Sequence, residues 1–340
     1  MTMKPPYPIL TLKAGREVSL RRGHPWLFSG ALAHVPAEAQ PGDVVAVAAS
    51  SGEILALGFF NPRTDIAVRL LTGRPDARID ADFWRGRLRS ALALRRRVVP
   101  PQTTGYRLIN AEGDGVPGLI VDRYDRRLVV SIGTAGMDRC RGDWIRILEE
   151  ELAPDGLYER SEGAARRREG LEDRNGPLSG EAWPEIVTMT ENGFRFGVDA
   201  AAGQKTGFFL DQRPNRELAG RLAGGAERML NAFSYSGGFS VYAARGGANR
   251  VVSVDISERA AELAAANLAA NGLSPEAHPV LKADVFTYLR ETDETFDLIV
   301  LDPPAFARNR KDLPRAARGY KDVNLQAMRR LKAGGLLMTF

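Results

Sequence analysis

From about Gly193 to Phe340 the sequence alternates between short apolar runs and alanine-rich segments of helical spacing, and this alternation restricts the chain more than any other feature. The apolar runs are RMLNAF (228–233), RVVSVD (250–255), HPVLKAD (278–284), FDLIVLD (296–302) and GGLLMTF (334–340). Between them lie GGFSVYAARG, SERAAELAAANLAANG, VFTYLRE and LPRAARGYKDVNLQAMRRLK. Strands without polar alternation are buried on both faces, and strands joined through helices run parallel. The pattern predicts an α/β, doubly wound parallel sheet covered by helices on both sides.

A chain of 340 residues is too long for one ordinary domain, so the remainder needs its own account. Residues 1–75 are punctuated by Gly and Pro and carry short alternating runs such as GDVVAVAASSGEILALGFF, which suggests a small β-barrel or sandwich. Residues 76–192 read as a central α+β domain. It opens on a basic helix (83–99), continues with a hairpin (118–133) and a helix (143–152), and carries a polar stretch, Glu159 to Gly180, expected to be a mobile loop or hairpin tip. Residues 193–340 form the third region.

Net charge of +5 and pI near 9.4 suit a polyanionic partner without identifying one. Only seven of the 47 basic residues are lysines, so where the arginines cluster matters more than their number. Arg85, Arg89 and Arg96 lie on the basic helix, either as a solvated face or as a phosphate-binding ridge. One cysteine, Cys140, excludes an internal disulfide framework and a cysteine-based metal cluster; with three scattered histidines, no metal is expected. No apolar run approaches the roughly 20 residues a bilayer needs, and no signal-peptide core precedes Leu12. The expectation is a cytoplasmic protein with no membrane attachment.

In open α/β sheets ligands bind beyond the carboxyl ends of the strands. The first strand of the series runs into the small-residue turn NAFSYSGGFS (231–240), and the next three end in Asp255, Asp284 and Asp302. The turn lacks the dinucleotide pattern G-x-G-x-x-G, and no G-K-[ST] loop compensates a diphosphate. Asp255 suits the two hydroxyls of a ribose, or the N-cap of SERAAELA. Asp284, with Val285 and Phe286 behind it, suits an exocyclic amine beside a purine, or is a loop acid. Acids repel phosphates but attract cations, so S-adenosylmethionine fits this rim better than a dinucleotide. Asp302 with Pro303 and Pro304 then forms a stiff loop beside the transferred methyl. Phe306 either stacks on an extracted base or packs on the following helix.

The segments KTGFFLDQRPNR (205–216), LNAFSYSGGFSV (230–241), VVSVDIS (251–257), LDPPAFARNR (301–310) and ARGYKDVNLQAMRRLKAGGLLMTF (317–340) resemble the 23S ribosomal RNA (cytosine-5)-methyltransferase I family. LRRGHPWLFSGAL (20–32) resembles the start of that family's PUA domain, an RNA-binding β-barrel. The resemblance implies a PUA domain (1–75), a central domain (76–192) and a Rossmann-like methyltransferase domain (193–340). It implies that Ser236, Gly237 and Gly238 line the methionine part of S-adenosylmethionine, with Asn231, Phe208, Asp211 and Gln212 nearby. Asp255 and Ile256 would take the ribose, Asp284 and Val285 the adenine, and Asp302, Pro303, Pro304 and Phe306 the reacting centre. Arg22, His24, Arg85, Arg89, Arg96, Lys205 and Arg213 become candidate RNA contacts, and Trp26 a core residue of the PUA motif. The implied partner is ribosomal RNA, naked or in an assembling large subunit, and the implied assembly allows a homodimer.

In this family a Ser-Cys-Ser element carrying a nucleophilic cysteine follows the last strand, so the nucleophile is expected beyond Phe340 and the sequence reads as C-terminally truncated. Cys140 reads as an incidental thiol of the central region. The alternatives are methylation of a base nitrogen, as in guanine, which needs no cysteine, and a non-catalytic RNA-binding protein.

Overall fold

The computed structural model describes residues 6–203, 205–307 and 310–340. The chain divides into two units, one of residues up to 100 with 104–185, the other of 101–103 with 186–340. Among the described residues no helix is long and apolar enough to cross a membrane.

The first unit begins with six strands: β1 (Ile9–Leu12), β2 (Trp26–Phe28), β3 (Leu32–His34), β4 (Val44–Ala48), β5 (Ile54–Phe60) and β6 (Ile66–Thr72), with helix α1 (Glu17–Arg21) after β1. Their order is β2-β6-β5-β4-β1-β3, antiparallel except for the β1–β4 pair. Alternating apolar residues, Val45 and Val47 of β4 with Leu10, Leu12, Phe60 and Val68, build its core. Gly58 sits where β5 meets β6, and a Cβ there would stand 2.6 Å from Val68 Cγ1.

The unit continues with α2 (Ala81–Val98), β7 (Gly105–Asn110), β8 (Leu119–Tyr124), β9 (Arg127–Ile132), α3 (Ala135–Arg139), α4 (Arg141–Leu152), β10 (Gly156–Ser161), α5 (Ala164–Arg168) and β11 (Arg174–Gly180). Asp80 caps α2 by accepting from the Phe83 N–H. The apolar stripe of α2, Trp84, Leu88 and Ala91, packs on Trp144, Ile147 and Leu148 of α4 and on Phe59 and Leu71 of the preceding strands. One core therefore serves both parts of this unit.

Of the two readings for Glu159 to Gly180, the structure shows the hairpin: β10 and β11 pair antiparallel, and α5 lies in the connection between them. Three of its charges, Glu159, Arg166 and Glu169, are buried partners, while Glu162, Arg167, Arg168, Glu172, Asp173 and Arg174 are exposed. Arg166, 2% exposed, donates to the carbonyls of Ile132 (2.7 Å) and Glu172 (2.6 Å) and to Asp138 (2.9 Å). Buried Glu159 takes Arg141 at 2.7 Å, and buried Glu169 takes Asn61 at 2.6 Å and Arg69 at 3.2 Å.

The second unit opens on a hairpin, β12 (Val187–Glu191) and β13 (Phe194–Val198), turned by Asn192 and Gly193 at φ of 50° and 83°. It continues through α6 (Arg213–Leu222), β14 (Arg228–Ala232), α7 (Gly238–Arg245), β15 (Arg250–Asp255), α8 (Glu258–Ala270), β16 (Val280–Lys282), α9 (Val285–Glu291), β17 (Phe296–Leu301), α10 (Leu313–Arg329) and β18 (Leu331–Thr339). The sheet order is β16-β15-β14-β17-β18, all parallel. Strand alternation divides the helices: Leu230, Ala232, Ile299 and Leu301 face α9 and α10, while Met229, Leu298 and Val300 face α6 and α7. The doubly wound α/β sheet is thus covered on both sides. The chain first builds outward from β14 to β16, then returns to the other side of β14 with β17, leaving a switch point between β14 and β17.

Removing a member of a buried charge network leaves the others unpaired. Arg166→Ala is expected to destabilise the first unit by about 3–5 kcal/mol, read by urea denaturation followed through Trp84 and Trp144 fluorescence. A loss below about 1 kcal/mol would show that the network is replaceable by water.

Candidate active site

A hollow of about 480 Å³ opens at the carboxyl ends of β14, β15 and β17. Its floor is the turn after β14, where Phe233 (φ 60°), Tyr235 (φ 44°) and Gly237 (φ 75°) all adopt left-handed backbone. Two are not glycine, and such residues cost about 1 kcal/mol or more each. Surrounding bonds hold them. The Ser234 N–H donates to the Val254 carbonyl (3.0 Å), the Tyr235 hydroxyl to the Gly207 carbonyl (2.9 Å) and the Asn267 amide to the Ser236 carbonyl (2.9 Å). At Gly237 a Cβ would stand 3.0 Å from Ala264 Cβ, so the left-handed turn and the approach of α8 both require glycine.

Asp255 ends β15 and joins the turn to the next helix. Its Oδ2 accepts from the Tyr235 N–H at 2.8 Å and its Oδ1 from the Ser257 N–H at 2.9 Å. A carboxylate oxygen has two lone pairs, so one on each oxygen remains for a ligand. Two adjacent acceptors in one plane match a vicinal diol. The N-cap of α8 is Ser257, which accepts from the Ala260 N–H, so Asp255 is not spent on capping.

Asp302, at the end of β17, forms the opposite wall with Pro303, Pro304 and Ala305. Asn215 donates to Gln212 Oε1 at 2.6 Å, and Gln212 Nε2 reaches Asp302 Oδ2 at 3.5 Å. Burial, with the charge of Asp211, pushes the Asp302 carboxyl above its ordinary value, while Lys205 and Arg216 oppose this. Arg216 is 3% exposed and clamps fully buried Glu191 in a bidentate pair at 2.8 and 2.7 Å. The same guanidinium donates to the Phe209 carbonyl (3.0 Å) and lies 4.6 Å from the Phe208 ring centre. Tyr242 donates to Glu191 at 3.1 Å, and burial followed by the Glu191 charge pushes its phenol upward.

Of the residues expected at the cofactor and the reacting centre, Phe208, Gln212, Ser236, Gly238, Asp255, Ile256, Asp302, Pro303 and Pro304 line this hollow. Lys205, expected on RNA, lines it too, paired with Asp211 at 3.1 Å and over the Phe209 ring at 4.3 Å. Asp211 itself is exposed. Asn231 is buried beneath, donating to Ser240 Oγ at 2.8 Å. Gly237 shapes the floor rather than lining it.

Asp284 departs from the expected row of three acids: it is exposed and caps α9, accepting from the Thr287 N–H (2.9 Å) and hydroxyl (3.0 Å). Val285 behind it is core. β16 has only three residues and forms the sheet edge; two residues beyond it, Asp284 gives one oxygen to the helix cap and does not line the hollow. Phe306 also does not line the hollow; its ring packs on Phe286 and Tyr320. No sequence signal marks Arg216 and Glu191, which meet across 25 residues, or Tyr235, whose contribution is a backbone N–H.

In the first unit, Arg22 and His24 are exposed and border an open depression of about 650 Å³ with Arg16. Trp26 donates its indole N–H to Glu112 at 2.9 Å, and Phe28 is 50% exposed. Arg85 pairs with Glu150 at 2.5 Å and Arg89 with Glu151 at 2.8 Å, which makes this part of α2 an ion-paired helix face; Arg96 is exposed. Arg213 begins α6, half-buried. Burial, aided by Asp143, pushes the Cys140 thiol up to about 11, so it stays protonated at neutral pH, and it does not line the hollow.

A hollow at the switch point of a parallel sheet is where doubly wound α/β proteins bind their ligands, and this one places the chain in that class. Known proteins narrow this further. Residues 166–339 match the S-adenosylmethionine-dependent methyltransferase family, and residues 10–73 match a PUA-like domain. The chain is 43% identical to the ribosomal RNA large subunit methyltransferase I of Photobacterium profundum, over 97% of this chain and 84% of that one. It is 44% identical to the same-named protein of Shewanella denitrificans over the same shares. Among solved structures, a candidate SAM-dependent methyltransferase from Streptococcus mutans superposes with a TM-score of 0.79 at 26% identity, covering 98% of this chain and 85% of that one. Another candidate methyltransferase, solved with S-adenosylhomocysteine (SAH), gives 0.82 at 27% identity over the same shares. The chain belongs to the ribosomal RNA large subunit methyltransferase I family and is an S-adenosylmethionine-dependent methyltransferase.

Two outcomes follow from this geometry. Asp255→Ala should weaken SAH binding by about 2 kcal/mol or more in titration calorimetry, because two charge-assisted bonds and the clamp on the turn are lost together; unchanged affinity would refute the diol assignment. For Asp302 the folded-state value is raised, so its protonated form stabilises the fold at low pH, and that contribution is lost as pH rises through the folded value. Asp302→Asn should therefore melt progressively higher than wild type as pH rises from about 4 to about 7. A melting difference independent of pH would contradict the burial argument.

Proposed function

We propose that this protein methylates carbon 5 of a cytosine in large-subunit (23S) ribosomal RNA. The reading of the substrate rests on the likeness to ribosomal RNA large subunit methyltransferase I relatives, and that of the cofactor site on the Asp255 carboxylate, held by two backbone N–H groups with one acceptor site left on each oxygen. S-adenosylmethionine supplies an electrophilic methyl group on a sulfonium. Asp255 and Ile256 would hold its ribose, and Ser236 and Gly238, at the start of α7, its methionine end. Asp302 and the Pro303–Pro304 wall would lie beside the methyl, excluding water with little ordering cost on binding. Phe208 and Gln212 also line the hollow, with Arg216, held by Glu191, fixing the Phe208–Phe209 turn.

Carbon 5 of cytosine is a poor nucleophile until a thiolate adds to carbon 6. The raised Cys140 thiol is unsuited to that role.

We assign residues 1–75 to RNA contact through Arg22 and His24, 76–192 to the central domain with Arg96 as a further phosphate contact, and 193–340 to methyl transfer, with Arg213 and Lys205 toward the RNA. The same reading takes ribosomal RNA, naked or in an assembling subunit, as partner, the cytoplasm as compartment and a homodimer as a compatible assembly. Mass spectrometry of ribosomal RNA from cells lacking the gene should show one 5-methylcytidine lost, restored by the wild-type gene but not by Asp255→Ala. Loss of a methylguanosine instead would support base-nitrogen chemistry, and an unchanged methylation pattern would contradict the proposal.

A further inference from the structure

Phe306 lies four residues beyond Asp302, and its seat explains an otherwise costly residue in the next helix. Its ring centre is 4.5 Å from that of Tyr320 in α10 and 5.9 Å from that of Phe286 in α9. Its own N–H donates to the Tyr320 hydroxyl at 3.3 Å. Beside the ring is Gly319, in the interior of α10 on the face that buries Ala316, Val323 and Ala327. Glycine is a poor residue for a helix interior, and Gly319 has no left-handed backbone to justify it. Space does: a Cβ there would stand 3.2 Å from Phe306 Cδ2 and 3.5 Å from Cε2. The missing side chain is the slot that receives the ring.

Pro303, Pro304 and Ala305 line the hollow and span two fixed points. At one end β17 is held by its neighbours, with the Phe340 N–H donating to the Leu301 carbonyl at 3.1 Å. At the other end is Phe306. Two prolines lock φ between them, so few soft torsions remain once both ends are pinned.

We infer that Phe306 is a positioning residue: its ring, seated in the slot left by Gly319 between Phe286 and Tyr320, holds the Pro303–Ala305 wall of the cofactor hollow in its binding geometry. This role replaces the expected stacking on a target base, and it rests on the reading of the hollow as the S-adenosylmethionine site. SAH titration calorimetry combined with amide hydrogen exchange tests it. Gly319→Ala adds a better helix former, so the melting temperature should hold or rise. SAH affinity should nonetheless fall about tenfold, as expected when a preorganised wall loosens, and the Ala305 and Phe306 amides should exchange faster. Phe306→Ala should lose SAH affinity likewise, and Phe306→Leu should recover most of it. Wild-type protein that takes up no SAH would defeat the reading of the hollow itself. Wild-type uptake with Gly319→Ala binding equally and exchanging at the same rate would overturn the anchor. So would Phe306→Ala that keeps full SAH affinity but loses affinity for ribosomal RNA, the signature of base stacking.

Discussion

The Asp255 carboxylate does two things that depend on each other. It accepts from the Tyr235 N–H, which fixes a turn containing left-handed Phe233 and Tyr235, and from the Ser257 N–H, which fixes the entry to α8. Such backbone persists only where its surroundings over-determine it. The group suited to grip a ribose is therefore also the group that shapes the floor beneath it. Little ordering is left to occur on binding, so the affinity of each contact is not spent on building the site.

The wall facing Asp255 is stiffened by charge buried out of water. Arg216 and Glu191 satisfy each other, Tyr242 and the Phe209 carbonyl take remaining sites, and the Phe208 ring covers the guanidinium. Such pairs contribute little net stability compared with apolar packing, but they fix geometry. Asp302 shows the opposite balance. It is half-buried, among the described residues its side chain takes one long bond, from Gln212, and burial raises its carboxyl above the ordinary value. Stability given up at one residue of a ligand hollow is the usual mark of function.

Much of the second unit was legible because buried parallel strands are continuous apolar runs: all five were read within a few residues of their ends, and Asp255 and Asp302 followed from the strand-end rule. Asp284 caps α9 and does not line the hollow, and spacing cannot tell a ligand acid from an N-cap when the strand before it is three residues long. In the Glu159–Gly180 stretch polarity points to a loop or hairpin tip, and the hairpin is what forms; the buried roles of Arg166 and Glu169 are not legible, because their partners lie far along the chain. Arg216 with Glu191, and Gly319 with Phe306, were invisible for the same reason: each is defined by a partner that only the fold supplies.

The central claim is that Asp255 reads a ribose through both of its oxygens. Titration calorimetry of wild-type protein with SAH and with its 2′-deoxy and 3′-deoxy analogues measures this directly. Each deoxy analogue should bind about tenfold more weakly than SAH, one hydrogen bond to a charged acceptor being lost in each case. Equal affinity for all three would contradict the account.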